Sequence, residues 1–151
     1  MKTLILALAS LMFAIAVSTT TYNSALNGSQ TAAEAGKIVL NLNASGDLPG
    51  MIKLHVERDG LNVVGGTWRM HVLPQNANAS SSERGQLAGT ITGGTLTLNA
   101  EGTVASVSSV TVVFQGGTGE FESVTTGNAT LNVSADAENP SQLNGTIVLN
   151  F

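Results

Sequence analysis

Ile52-Lys53-Leu54-His55-Val56-Glu57, then Asp59-Gly60, then Thr67-Trp68-Arg69-Met70-His71-Val72: in both runs every second residue is apolar. Successive side chains of a strand point to opposite faces, so this period of two buries one face and wets the other. The same period recurs in Ile38, Leu40 and Leu42; in Leu96 and Leu98; in Val110, Val112 and Phe114; in Ala129, Leu131 and Val133; and in Ile147, Leu149 and Phe151. Residues that favour turns fall between the runs: Asp47 to Gly50, Asp59-Gly60, Gly65-Gly66, Gly93-Gly94, Gly116-Gly117 and Glu138 to Pro140. The spacing predicts about eight strands at intervals of roughly ten residues, an all-β antiparallel architecture. A closed, calycin-like eight-stranded barrel is favoured over a sandwich. Closure removes edge strands, and a chain in which only 11% of residues are charged has few gatekeepers to protect them. The seam is expected where Gly36–Asn43 meets Thr146–Phe151.

The amino terminus reads differently. Met1-Lys2 is followed by a mildly hydrophobic run from Leu4 to Val17, with Ser10 its only hydroxyl, and then by polar Ser18 to Thr21. As a helix this run rises about 21 Å, short of the ~30 Å hydrocarbon core. The layout is that of a secretory signal peptide over residues 1–20, an N-terminal signal helix with cleavage after about Ala16 to Ala25. Residues 21–35, rich in Thr, Ser, Asn and Ala, read as a flexible leader to a single barrel domain over 36–151. No second apolar run of that length follows, so no membrane span is expected in the mature chain, and a secreted or periplasmic location is. Cysteine is absent, which excludes disulfides and thiolate metal sites. Five Lys and Arg stand against ten Asp and Glu once Lys2 is set aside, so a nucleic-acid partner is not expected.

The stretch Val112-Val113-Phe114-Gln115-Gly116-Gly117-Thr118-Gly119-Glu120-Phe121-Glu122 resembles a motif of the allene oxide cyclase and dirigent barrels and their small secreted bacterial relatives. In that family a strand ends in Gly-Gly-Thr-Gly, a Phe follows two residues later, and a Gly-containing strand comes next, here Gly127 followed by Asn128 to Ser134. Leu143 to Ile147 then resembles the closing strand. The resemblance implies an eight-stranded barrel with an internal cavity. Val124-Thr125-Thr126-Gly127 stands where the family has Ala-Arg-Gly, and no catalytic residue is carried over.

Candidate chemistry is sparse. His55 and His71 lie on the polar faces of consecutive strands. With a turn over Gly60 to Gly65, pairing 57 with 69 sets His55 opposite His71, and with Glu57 the three would make a divalent-metal site. A register slipped by two residues opposes His55 to Arg69 instead. On the plainer reading this is an exposed hairpin face with a Glu57–Arg69 ion pair worth under about 1 kcal/mol. Glu120 and Glu122 lie two apart, as on one strand face, but sugar clefts need aromatics and the chain has one Trp and one Tyr. Trp68 alternates inward. With Phe114 and Phe121, a plug for the barrel end, it forms the candidate ligand-binding set. Pro74 to Arg84 is the longest polar interruption and suits a mobile loop or a lid. Asn-x-Ser/Thr triplets begin at Asn27, Asn43, Asn78, Asn128, Asn132 and Asn144; in so hydroxyl-rich a chain, chance accounts for most of them.

Three readings follow. The first is a secreted, non-enzymatic barrel that binds a small apolar molecule or a surface partner. The second is a cyclase-like enzyme acting in the interior, and the third a structural or adhesive envelope protein. No cofactor is called for. The volume and lining of the interior separate the three.

Overall fold

The computed structural model describes residues 19–31, 36–75 and 84–151. Eight strands run in chain order: β1 (Thr21–Thr31), β2 (Lys37–Gly46), β3 (Gly50–Asp59), β4 (Asn62–Val72), β5 (Gly85–Leu98), β6 (Val104–Gly117), β7 (Asn128–Ala135) and β8 (Gln142–Asn150). Each pairs antiparallel with its neighbour, and β8 returns to β1 to close the barrel. One short 3-10 turn, Gly119–Phe121, follows β6.

The inward positions carry the apolar residues read from the sequence. Leu40, Leu54, Trp68, Met70, Leu87, Val112, Leu131, Ile147 and Leu149 have almost no exposed surface and belong to one continuous cluster. The outward positions are mostly Thr, Ser and Asn. Apolar-in and polar-out is the reverse of a transmembrane barrel, whose lipid face is apolar. Among the described residues no helix is long and apolar enough to cross a membrane.

The seam corrects the expected domain boundary. Thr21–Thr31, read as leader, is strand β1. It lies between β8 (Ser24 opposite Ile147) and β2 (Leu26 opposite Ala44), so Gly36–Asn43 does not meet Thr146–Phe151. The inward face of β1 is Tyr22, Ser24, Leu26, Gly28 and Gln30, with a single aliphatic residue. Its polar members are satisfied across space. The Ser24 hydroxyl donates to the Leu48 carbonyl at 3.2 Å and accepts from the Leu48 N–H at 3.3 Å. Gln30 accepts from the Val104 N–H at 2.8 Å and donates to its carbonyl at 3.4 Å. Gly28 leaves room for the β2 backbone, since a Cβ there would strike the Asn41 carbonyl. The signal-peptide reading falls on residues 1–18, outside the described residues, apart from its last two, which precede β1.

Three glycine pairs expected in turns lie inside strands or at a strand end. Gly65-Gly66 is within β4, Gly93-Gly94 within β5, and Gly116-Gly117 closes β6. The hairpin turn between β3 and β4 is therefore Gly60-Leu61 alone, with Asp59 opposite Asn62. The pairing shifts by one residue between Glu57 and Arg58, a bulge that leaves Val64 extra on β4.

Candidate functional site

The turns and strand ends at one rim gather the aromatics. Trp68 near the end of β4 and Phe114 near the end of β6 face inward, with ring centroids 5.4 Å apart. Phe151, just past β8, meets Phe114 edge-on at 5.7 Å, Phe121 at 6.0 Å, and stacks on Tyr22 of β1 at 5.0 Å. The three expected ligand-binding residues, Trp68, Phe114 and Phe121, thus belong to one cluster linked through Phe151. Phe121 plugs the rim from the 3-10 turn. That turn is held to the start of β5: the Glu120 N–H donates to the Arg84 carbonyl at 3.0 Å, and Arg84 pairs with the Glu120 carboxylate at 2.8 Å. Arg84 also lies over the Phe121 ring, 5.8 Å from its centroid. Glu120 and Glu122 sit on and after this turn, not on one strand face as expected. The alternation pointed to Trp68 and Phe114. Tyr22 was hidden in the segment read as leader.

Trp68 is fully buried, and its indole N–H finds no acceptor among the described residues. A buried donor without a partner costs about 1–3 kcal/mol and calls for an explanation.

The other candidate set comes apart. The observed register places His55 opposite Thr67, and His71 opposite Met51, four residues away from the expected His55–His71 pairing. The shorter turn and the Val64 bulge account for the slip. Glu57 faces Gly65 and not Arg69, so the expected ion pair is not made either. Among the described residues no three His, Asp or Glu lie close enough together to hold a metal ion.

What the register assembles instead is a basic surface. Every Lys, Arg, Asp and Glu carried by a strand lies on β2, β3 or β4: Lys37, Lys53, Glu57, Arg58, Asp59 and Arg69. The five other strands carry none. Lys53 stands directly opposite Arg69, and Lys37 opposite Glu57. Between them a concavity of about 420 Å³ opens on the outer wall, lined by Lys37, Lys53, His55, Glu57, Thr67 and Arg69. Two others, of about 300 and 470 Å³, lie elsewhere on the wall, at the outer faces of β6–β8 and of β1, β2 and β8.

The Asn-x-Ser/Thr triplets acquire a structural meaning. Asn27, Asn43, Asn128, Asn132 and Asn144 all occupy outward strand positions, and each hydroxyl residue two places on faces outward as well. A polar-apolar-polar triplet is what the outside of such a wall requires. Asn78, and most of the Pro74 to Arg84 segment read as a lid, lie outside the described residues.

Compared with known proteins, the chain matches no family model, no curated protein and no solved structure.

Proposed function

We propose that this chain is a secreted or periplasmic, non-enzymatic barrel of calycin-like type that works through its outer wall, engaging a surface partner. The observation that carries this reading is the continuous apolar cluster that the inward side chains form. Leu40, Leu54, Trp68, Met70, Leu87, Leu131 and Leu149 meet in one cluster, and the concavities described above all lie outside it. A structural or adhesive role at a bacterial envelope is one form of the same reading. A cyclase-like reaction inside would need a polar group free to act. Ser24 uses its hydroxyl on Leu48, and the unpartnered Trp68 indole N–H is a donor only, unable to serve as a base. The likeness to the allene oxide cyclase and dirigent barrels rests on the Val112–Glu122 stretch, and it is offered for the fold and not for the chemistry.

A second reading is favoured by one atom. The unpartnered Trp68 Nε1, set among aromatic rings, suits a small apolar molecule bearing a single acceptor oxygen, bound when Phe121 swings out.

Two measurements test the proposal. Native mass spectrometry of protein isolated from its source is expected to give the bare polypeptide. A retained apolar molecule would move the function to the aromatic rim. Purified barrel is expected to co-sediment with the source envelope fraction, and failure to do so would sink the wall-binding reading.

A further inference from the structure

Lys53 and Arg69 are direct cross-strand partners on an exposed face. Side chains so opposed have Cβ atoms about 4.5–5.5 Å apart, and like charges in that position are destabilising. Among the described residues neither has a carboxylate within ion-pair distance. Elsewhere most outward strand positions hold uncharged residues, many of them Thr, Ser or Asn, which would carry no repulsion. The chain is acidic overall, with a net charge of −4, yet it concentrates its strand-borne cations here.

We infer that the concavity over β2–β4 is a binding site for a phosphate-monoester dianion, seated between Lys53 and Arg69. The guanidinium of Arg69 offers two parallel N–H donors to two phosphate oxygens, and Lys53 supplies a point charge to a third. Thr67 adds a hydroxyl donor and His55 a ring N–H from the adjoining cross-strand row. Glu57, the carboxylate of the lining, lies toward the far rim opposite Lys37, so the anion sits at the Lys53–Arg69 end. Three cations around one carboxylate repel a metal ion and attract an oxyanion. At about 420 Å³ the concavity has room beside the anionic group for part of a larger molecule that carries it. The site is open to water, so its affinity falls as salt rises. This inference rests on the wall-binding reading and names its partner's chemistry.

Inorganic phosphate is the first probe, titrated into the whole protein at constant ionic strength held with sodium chloride and followed by amide NMR shifts. Saturable shifts centred on Lys53, His55, Thr67 and Arg69 are expected. Lys53→Gln and Arg69→Gln should each weaken binding at least about tenfold, the loss of one charge-assisted hydrogen bond. Gln142→Glu, which lowers the net charge equally on the distant start of β8, should leave it unchanged. Both lining variants should melt at or above the parent temperature, since each relieves a repulsion, so lost binding will not reflect lost folding. No saturable shift in the parent, or equal weakening by Gln142→Glu, overturns the inference.

Vesicles distinguish the source of the phosphate. Co-sedimentation with phosphatidic acid in phosphatidylcholine, but not with phosphatidylcholine alone, and its competition by phosphate assign the group to a lipid head. Phosphate binding without co-sedimentation assigns it to a soluble ester. Vesicle binding that phosphate does not compete overturns the site as drawn. Envelope retention that persists while phosphate fails to bind sinks this inference and leaves the wall-binding reading standing.

Discussion

The backbone N–H of Ser109 donates to the side-chain oxygen of Asn132 over 2.8 Å, across a break in the β6–β7 ladder. Val107 pairs with Val133 and Val110 with Leu131, so β6 carries one residue more than β7 over this interval. Ser109 takes up the slack with φ of 52°, and no other described non-glycine residue has a positive φ. A residue with a Cβ in that region is disfavoured by roughly 1–2 kcal/mol. Ser109→Gly should therefore raise stability by up to about 1 kcal/mol, the entropy of glycine offsetting part of the relief. Asn132→Ala should lower it by about 1 kcal/mol through loss of the bond. Urea unfolding midpoints check both; a Ser109→Gly variant weaker than the parent would show that the bulge is not strained.

Strand β1 makes the second prediction. It is the sole bridge between β2 and β8, contributing Leu26 to the core and the Ser24 and Gln30 bonds to the two ends of the barrel. A chain beginning at Gly36 should not fold alone, leaving two exposed sheet edges prone to pairing with other chains. In the full chain Leu26→Ala should cost about 2–5 kcal/mol. A shortened chain with dispersed amide resonances and a cooperative melt would contradict this account of closure.

How much of this was legible in the sequence depends on whether the period of two survived. In β2, β3, β7 and β8 the alternation is unbroken, and Ile52, Leu54 and Val56 or Ala129, Leu131 and Val133 announce the buried face directly. In β6 two irregularities, one against β5 between Val104 and Ser106 and one against β7 at Ser109, space the inward Val104, Val107 and Val110 three apart, so the first half of the strand does not look like one. In β1 the inward Ser24, Gly28 and Gln30 make sense only beside Leu48, Asn41 and Val104, residues distant in the chain. The site divides in the same way. Trp68 and Phe114 follow from local alternation. The opposition of Lys53 and Arg69 depends on the register, which a two-residue turn and an internal Gly65-Gly66 set against the simpler reading.

The boundary of any signal peptide follows from the same strand. A cut after Ala25 would remove Tyr22 from its stack on Phe151 and Ser24 from Leu48. Thr20 already exchanges backbone hydrogen bonds with Phe151, its N–H donating at 2.9 Å and its carbonyl accepting at 3.1 Å. If the chain is cleaved, N-terminal sequencing of the product should therefore find a first residue no later than Thr20, in keeping with a cut near Ala16. A mature chain starting after Ala25 would require a seam other than the one described.

Two glycines offer the sharpest contrast for the aromatic rim. At Gly117 an added Cβ would strike the Phe121 carbonyl and come within 2.7 Å of its Cβ, besides 2.8 Å from the Gln86 carbonyl. The obstacles are backbone on two sides, so the plug must move if a methyl group is to fit. At Gly93 the same Cβ meets nothing within 4 Å, and φ is not positive. Gly93→Ala should be neutral or stabilising by a few tenths up to about 1 kcal/mol, because it narrows the unfolded ensemble. Gly117→Ala should destabilise by about 1–3 kcal/mol, as overpacking does, and should lift Phe121 off Phe151. The displaced plug would expose the Trp68 end, so fluorescence of the chain's one Trp should shift to the red before global unfolding, and an apolar dye should bind there. If Gly117→Ala keeps the parent emission and melting temperature, Phe121 does not seal the rim, and the aromatic end is more open than its packing indicates.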